Sequence, residues 1–193
     1  MKKMMWKDVL WSLIDALCEH LQRFGFTVTI ESKSEEGIQA FGGFLGSVRI
    51  ANRSINVVEL HRDGLLNMGE GEGMESRFYC VYVIQAKLEG LKEGKLAEGN
   101  PIRTRKGLLR WQIVDFKWEG EELGQTLNND SRLRDYFISL RDVPNVVIYH
   151  SMNLDIRIFE KNHEHEIPRD AFPTAEAFEA YDRIAQHIRS IAN

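Results

Sequence analysis

The N-terminal segment repeats apolar residues at three- and four-residue steps. This stripe consists of Trp6, Val9, Leu10, Leu13, Ile14, Leu17, Leu21 and Phe24. Such spacing places the apolar side chains on one face of an amphipathic helix. Gly25 follows directly, and glycine readily adopts the left-handed conformation that ends a helix. We therefore predict an N-terminal helix that packs its apolar face on a core.

Seven later segments carry alternating or continuous apolar residues over short runs, the pattern of β-strands. They are 26–32, 38–51, 54–61, 77–88, 108–118, 145–150 and 153–160. The run 77–88 is apolar on both faces, which predicts a central strand. In 108–118 the apolar register switches at Ile113–Val114, which predicts a β-bulge. Three glycines within 38–51 predict a bulge or bend there as well.

Two further helices are predicted in the last third of the chain. One covers Leu133 to Leu140 with Asp130 as its N-cap, and the other covers Phe178 to Ile191 with Thr174 as its cap. Most strand connections are too short for a helical crossover, so we predict antiparallel pairing. The expected fold class is α+β, with N-terminal, middle and C-terminal helices packed on a mostly antiparallel sheet of about 6–8 strands.

The length of 193 residues predicts a single domain spanning 1–193. An alternative is a division of the chain into two parts. The first, 1–118, would be a helix plus an antiparallel meander, and the second, 119–193, would be an α-β-β-α unit. The order α-β-β-β, an inserted hairpin and α-β-β-α resembles that of type III secretion chaperones. That resemblance in element order implies a small acidic protein that dimerises and holds unfolded segments of a client.

Composition narrows the class of protein. The chain has 43% hydrophobic and 28% charged residues and a net charge of −4, as in ordinary soluble proteins. Such mild acidity gives no overall attraction to nucleic acid or to anionic membranes. Acidic residues interrupt the apolar N-terminus, so we predict neither a signal peptide nor a membrane span. Cys18 and Cys80 lie at apolar positions, which predicts buried reduced thiols. These thiols and the lack of a targeting signal together indicate a cytoplasmic protein.

The run Asn162-His163-Glu164-His165-Glu166-Ile167-Pro168 is the first candidate for chemistry. His163 and His165 share a face if the chain is extended, and His-x-His pairs bind metals in many sites. Glu166 and His150, at the end of the preceding strand, complete the candidate metal set, which would make the chain a metal-binding protein or a metal-dependent hydrolase. The spacing differs from the His-Glu-x-x-His of helical zinc sites. We favour the alternative that this run is a polar link between the last strand and the last helix.

The segment 100–111 holds the one basic cluster: Arg103, Arg105, Lys106 and Arg110. Alternating cations beside a tryptophan are typical of a surface that binds nucleic acid or another anion. The sequence pI of about 5.9 argues against this, because nucleic-acid-binding domains are usually basic. We therefore favour a solvated hairpin arm, with nucleic-acid binding as the alternative.

No catalytic motif meets its own spacing requirement, so we lean against an enzyme. The glycine-rich run 68–75 is acidic and is followed by a strand, whereas nucleotide loops precede a helix, and no cofactor is predicted. Asp155 and Arg157 are interpreted as a surface ion pair. Apolar and aromatic residues on both faces of several strands favour a non-enzymatic protein-interaction or chaperone-like module that forms a homodimer and binds an unidentified protein partner.

Overall fold

The computed structural model describes residues 6–34, 42–65, 75–85, 94–106, 110–140, 144–151, 155–161, 165 and 167–192. The helices within these residues are α1 (Trp6–Arg23), α2 (Glu122–Asn128), α3 (Ser131–Ser139) and α4 (Ala175–Ala192), together with a 3-10 helix (Pro168–Ala171). The strands are β1 (Val28–Lys33), β2 (Gly42–Ile50), β3 (Val57–Leu65), β4 (Glu75–Ile84), β5 (Gly94–Lys106), β6 (Arg110–Glu119), β7 (Asn145–His150) and β8 (Ile156–Lys161). The predicted α+β class is confirmed.

The eight strands form one sheet in the order β1-β2-β3-β4-β8-β7-β5-β6. Every neighbouring pair is antiparallel, as the short connections predict. The first four strands are a meander, and β5 and β6 are a hairpin. The C-terminal pair, β7 and β8, lies between them and joins β4 to β5. Both parts of the predicted division, 1–118 and 119–193, therefore contribute strands to the same sheet.

One face of the sheet is covered by helices. α1 packs on β1 and β2, whereas α2 and α3 pack on β5 and β6. α4 contacts α2 and α3, and its Tyr181 ring lies 4.4 Å from the ring of Tyr82 on β4. The largest fully buried side chains on α4 are those of Phe178, Tyr181 and Ile184. The main core therefore lies between this helical layer and one face of the sheet.

Both predicted irregularities in the strands are present. Ile102 pairs with Asp115 and the next β5 residue pairs with Ile113, which leaves Val114 as the extra residue of a β-bulge. The register also shifts in β2 just before Gly46. A Cβ at Gly46 would lie 2.6 Å from the Ser32 carbonyl oxygen and 2.8 Å from Cγ1 of Ile14. Glycine is therefore required for α1 to approach this strand so closely.

The predicted helix ends are confirmed. Gly25 has a φ of +81° and follows α1. The Asp130 side chain accepts hydrogen bonds from the backbone N–H groups of Arg132 and Leu133 and caps α3. Thr174 Oγ1 accepts a hydrogen bond of 3.1 Å from the backbone N–H of Ala177 at the start of α4. Side-chain chemistry at single positions therefore fixes where these helices begin.

Thr174→Ala should lower the free energy of unfolding by about 1 kcal/mol, because an N–H group at the start of α4 loses its acceptor. Thr174→Ser keeps the hydroxyl and should stay within a few tenths of a kcal/mol of the parent. Urea unfolding followed by circular dichroism measures both. Equal destabilisation by serine and alanine would show that the methyl group of Thr174, and not its hydroxyl, contributes the stability.

Two elements differ from the sequence expectation. β5 lies in a charged stretch and was not predicted as a strand. Its core-facing positions are the small residues Ala97, Gly99 and Pro101 rather than a row of large apolar ones. A Cβ at Gly99 would lie 2.6 Å from Cε1 of Phe116, so aromatic rings of β6 fill the space above this strand. The short α2 was not predicted either. It buries Leu123 and Leu127, too few apolar positions for a helical period to stand out.

Candidate functional site

The sheet face away from the helices carries a second apolar cluster. Val57, Val81 and Val83 form its centre, and Tyr79 and Phe159 pack against them. Their neighbours along β3 and β4 belong to the helix-side core, and side chains alternate along a strand. The three valines are only 2–4% exposed, although none of the described helices covers them. We call this surface of β3, β4, β8 and β7 the open face.

A groove of about 530 Å³ runs along the open face. Its walls combine aromatic rings, aliphatic side chains and charged groups. They are formed by His61, Tyr79, Val81, Val147, Tyr149, Arg157, Phe159, Glu160 and Lys161. Aromatic residues and arginine are the side chains that protein interfaces favour.

A network of ion pairs crosses the open face beside this groove. Both terminal nitrogens of the Arg157 guanidinium donate to Glu59, at 3.0 and 3.3 Å. Arg157 also donates to Oδ2 of Asp155 at 3.3 Å, and Ser151 donates to the other oxygen of that carboxylate. His61 Nε2 lies 2.8 Å from Oε2 of Glu59. One cation shared between two carboxylates therefore links β8 to β3 across the intervening β4.

The network is mostly removed from water. The side chains of Glu59, Asp155 and Arg157 are 14%, 15% and 19% exposed. Burial lowers the pKa of Arg157, but the carboxylates of Glu59 and Asp155 outweigh burial and hold it above its usual range. Burial also raises the pKa of Tyr149, and the nearby guanidinium of Arg157 opposes that shift only in part. The guanidinium is thus charged and the phenol is neutral across the physiological pH range.

Aromatic contacts fix the side chains around this network. The imidazole of His61 stacks on Tyr79 with ring centroids 5.3 Å apart and an interplanar angle of 15°. Phe44 contacts the same imidazole edge-on at 5.7 Å. Across the groove, Tyr149 and Phe159 meet in a T-shaped arrangement at 5.6 Å. The groove is therefore a preorganised surface, since its largest side chains are held in place by one another.

The predicted metal ligands are not all brought together. His150 is 3% exposed and pairs with Ile156 at the start of β8. His165 forms an isolated bridge with Phe78, beyond the other end of β8. About five residues at about 3.3 Å each separate the ends of that strand, so one ion cannot bind both imidazoles. His163 and Glu166 lie outside the described residues, and a metal site that includes them stays a prediction.

The imidazole of His150 is buried without a described hydrogen-bond partner, which its position in the sequence did not predict. Neither ring nitrogen has a hydrogen-bond partner within the part of the chain that the structure describes. Its neighbours across the sheet are Ile156 and Gly94. His150 therefore lies at the end of β7 that is far from the groove residues Phe159 and Lys161. The described residues contain no group of three or more His, Cys, Asp or Glu side chains that would hold a metal ion.

The basic cluster lies at the edge of the sheet. Arg103 is exposed on β5, opposite Ile113 of the edge strand β6. The backbones of Arg105 and Lys106 pair in register with Trp111 and Arg110, close to the turn of this hairpin. The side chains of Arg105, Lys106 and Arg110 lie outside the described residues. The hairpin that we predicted is present, and nucleic-acid or anion binding through it stays a prediction.

Sequence reasoning found only part of the ionic network. Asp155 and Arg157 do face away from the core as a pair, but they are largely buried and not a solvated surface pair. Their main partner, Glu59, is 98 positions away from Arg157 in the chain. The only local signal was the charged residue inside the otherwise apolar run Val57–Leu60. Such a charge indicates a buried partner without identifying it.

Comparison with known proteins identifies no relative. Neither a protein-family model, nor a curated protein, nor a solved structure matches the chain. The similarity in element order to type III secretion chaperones therefore gains no support from a solved structure. None of the described helices is long and apolar enough to cross a lipid bilayer. Function has to be inferred from the open face and the cavities of this chain.

Proposed function

We propose that this protein is a cytosolic, non-enzymatic protein-interaction module that forms a homodimer through its open face. The observation that carries the proposal is the groove on the open face, whose walls combine Tyr79, Tyr149 and Phe159 with charged side chains. An apolar and aromatic surface of this kind, rimmed by charged residues, is typical of a binding interface. The free, buried thiols of Cys18 and Cys80 support a reducing compartment.

The charges of the open face suit a second copy. Lys161 lines the groove, and Glu98 lies on the same face, opposite Val147. In a two-fold symmetric interface the same surface patch of each copy contacts the other. A patch that carries both signs of charge can therefore pair with itself. Arg157 and His61 already have carboxylate partners, which favours a binding role over catalysis for this groove.

Size-exclusion chromatography with light scattering tests the homodimer. The parent protein should have twice the chain mass of 22.3 kDa at micromolar concentration. Val147→Lys should give a monomer, because it introduces a charged ammonium group from each copy into the groove that the interface would desolvate. Val114→Lys is the matched control: Val114 is 41% exposed on the edge strand β6. It should leave the dimer intact.

Two results would contradict the proposal. A monomeric parent protein at micromolar concentration would exclude the homodimer. A dimer that survives Val147→Lys would place the interface on another surface. Circular dichroism and cooperative urea unfolding of both lysine variants show that the monomer, where it appears, is folded.

A further inference from the structure

A second, smaller cavity lies on the helix side of the sheet, where the pairing of β4 with β8 is interrupted. The pairing ends at Val81 and Phe159 and resumes at the isolated bridge to His165. Between these two points β4 contributes Tyr79 and Cys80, which lie outside the regular pairing with β8. The cavity at this position has a volume of about 170 Å³. It is closed on the other side by α3, the 3-10 helix and the start of α4.

The walls of this cavity are aromatic and acidic. Tyr82, Tyr136 and Phe172 supply rings, and Glu160 and Asp170 supply carboxylates. Among the described residues that line it, His165 is the one basic side chain, and neither lysine nor arginine is present. The faces of aromatic rings carry negative charge density, so rings and carboxylates attract the same kind of ligand, a cation.

The main carboxylate is held in place by a buried phenol. The hydroxyl of Tyr181 donates a hydrogen bond to Oε1 of Glu160. Tyr181 is 1% exposed and packs against Tyr82, so the phenol donates from within the core to the half-buried carboxylate of Glu160. Burial, and secondarily the charge of Glu160, raises the pKa of Tyr82, Tyr136 and Tyr181. All three phenols are therefore neutral at physiological pH, and the negative charge of the cavity comes from carboxylates.

We propose that this cavity is a binding site for a small organic cation, an alkylammonium ion of the size of choline. Its volume is close to the roughly 150 Å³ of a protein cavity that holds benzene, so a group of that size fills it. Glu160 supplies the opposite charge, and the rings of Tyr82 and Tyr136 contact the alkyl groups and attract the cationic head. A metal ion is disfavoured because it needs several oxygen ligands, whereas most of this wall is carbon. The cavity is on the helix side, and it shares Tyr79 and Glu160 with the groove of the open face.

Isothermal titration calorimetry with two probes of the same shape tests this proposal. Choline carries the charge, whereas 3,3-dimethylbutan-1-ol has a carbon atom in place of the quaternary nitrogen and is neutral. Choline should bind at least about ten-fold more tightly, because only the cation interacts with Glu160 and the ring faces. Equal binding of the two probes would show an apolar pocket without cation selectivity and would overturn the proposal. Failure of choline to bind at millimolar concentration would overturn it as well.

Variants of two wall residues locate the bound ion. Glu160→Gln keeps an acceptor for Tyr181 and removes the charge, so choline should bind about ten-fold or more weakly while the neutral probe is unaffected. Tyr136→Phe retains the ring face and should bind choline as the parent does, whereas Tyr136→Leu should weaken binding several-fold. Unchanged affinity in both Glu160→Gln and Tyr136→Leu would exclude this cavity as the site. Circular dichroism confirms that each variant is folded.

Discussion

Replacing Arg157 with methionine should lower the free energy of unfolding by about 3 kcal/mol. The substitution keeps much of the apolar stem and removes the one cation that Glu59 and Asp155 share. Both carboxylates are about 15% exposed, so water cannot fully replace the lost guanidinium. An uncompensated buried charge costs far more than an exposed ion pair contributes. Urea unfolding at one fixed protein concentration measures the effect and removes any contribution from association.

A matched control exists on the same sheet. Arg49 pairs with Glu31 at the β1–β2 edge, and its side chain is 45% exposed. Arg49→Met should therefore change the free energy of unfolding by at most about 1 kcal/mol. The double variant Glu59→Gln with Arg157→Met removes one of the two uncompensated charges and should recover part of the loss. If Arg157→Met proved no more destabilising than Arg49→Met, the network would be solvated in solution.

The second large effect is expected at Asp130, which joins α3 to α4. Its carboxylate caps α3 and accepts hydrogen bonds from Arg183 and from His187, the latter at 2.7 Å. Burial raises the pKa of Asp130, but these hydrogen bonds and the charge of Arg183 outweigh burial and lower the pKa to about 2. In an unfolded chain the same group titrates near pH 3.9. The folded state therefore binds the proton less well than the unfolded state does.

The sign of the pH dependence follows from this lowered pKa. The stabilisation is complete above about pH 5 and is lost as the pH falls from about 4 to about 2. Asp130→Asn keeps a good N-cap and removes only the charge, so it should cost about 2 kcal/mol at pH 7. The difference between the parent protein and the variant should shrink towards zero near pH 2. Urea unfolding as a function of pH checks both expectations.

Asp115 provides the comparison for this experiment. It also has a lowered pKa, because Arg134 donates a hydrogen bond to it, but its side chain is 37% exposed. Water screens that pair, so Asp115→Asn should have only a small part of the effect of Asp130→Asn. A loss at Asp130→Asn that stayed constant across the acid range would show that the amide disturbs packing rather than removing a charge.

Local patterns predicted local structure well. The switch of apolar register at Ile113–Val114 identified the bulge, because alternation has a period of two and an extra residue must reverse it. Asp130 and Thr174 identified helix starts, because their side chains satisfy N–H groups a few residues away. Such signals depend on neighbours in sequence, and one sequence is enough to find them.

The pairing of residues far apart in the chain could not be predicted from the sequence. β5 presents Ala97, Gly99 and Pro101 to the core, and only the presence of Phe116 above them shows why small residues fit. The partners Glu59 and Arg157 lie on strands separated by most of the chain, and nothing in their local patterns matches one to the other. The cavity beside Glu160 likewise depends on the interruption between β4 and β8, which becomes visible only when the strand order is known.

The position of β7 and β8 has a consequence for the order of folding. The β1–β4 meander and the β5–β6 hairpin pair neighbours in sequence, so each can form early at a small cost in loop-closure entropy. Neither can join the other until the C-terminal strands are inserted between β4 and β5. Until then β4 and β5 have unpaired edges that can aggregate. During synthesis the sheet therefore stays incomplete until β8, which ends at Lys161, has left the ribosome.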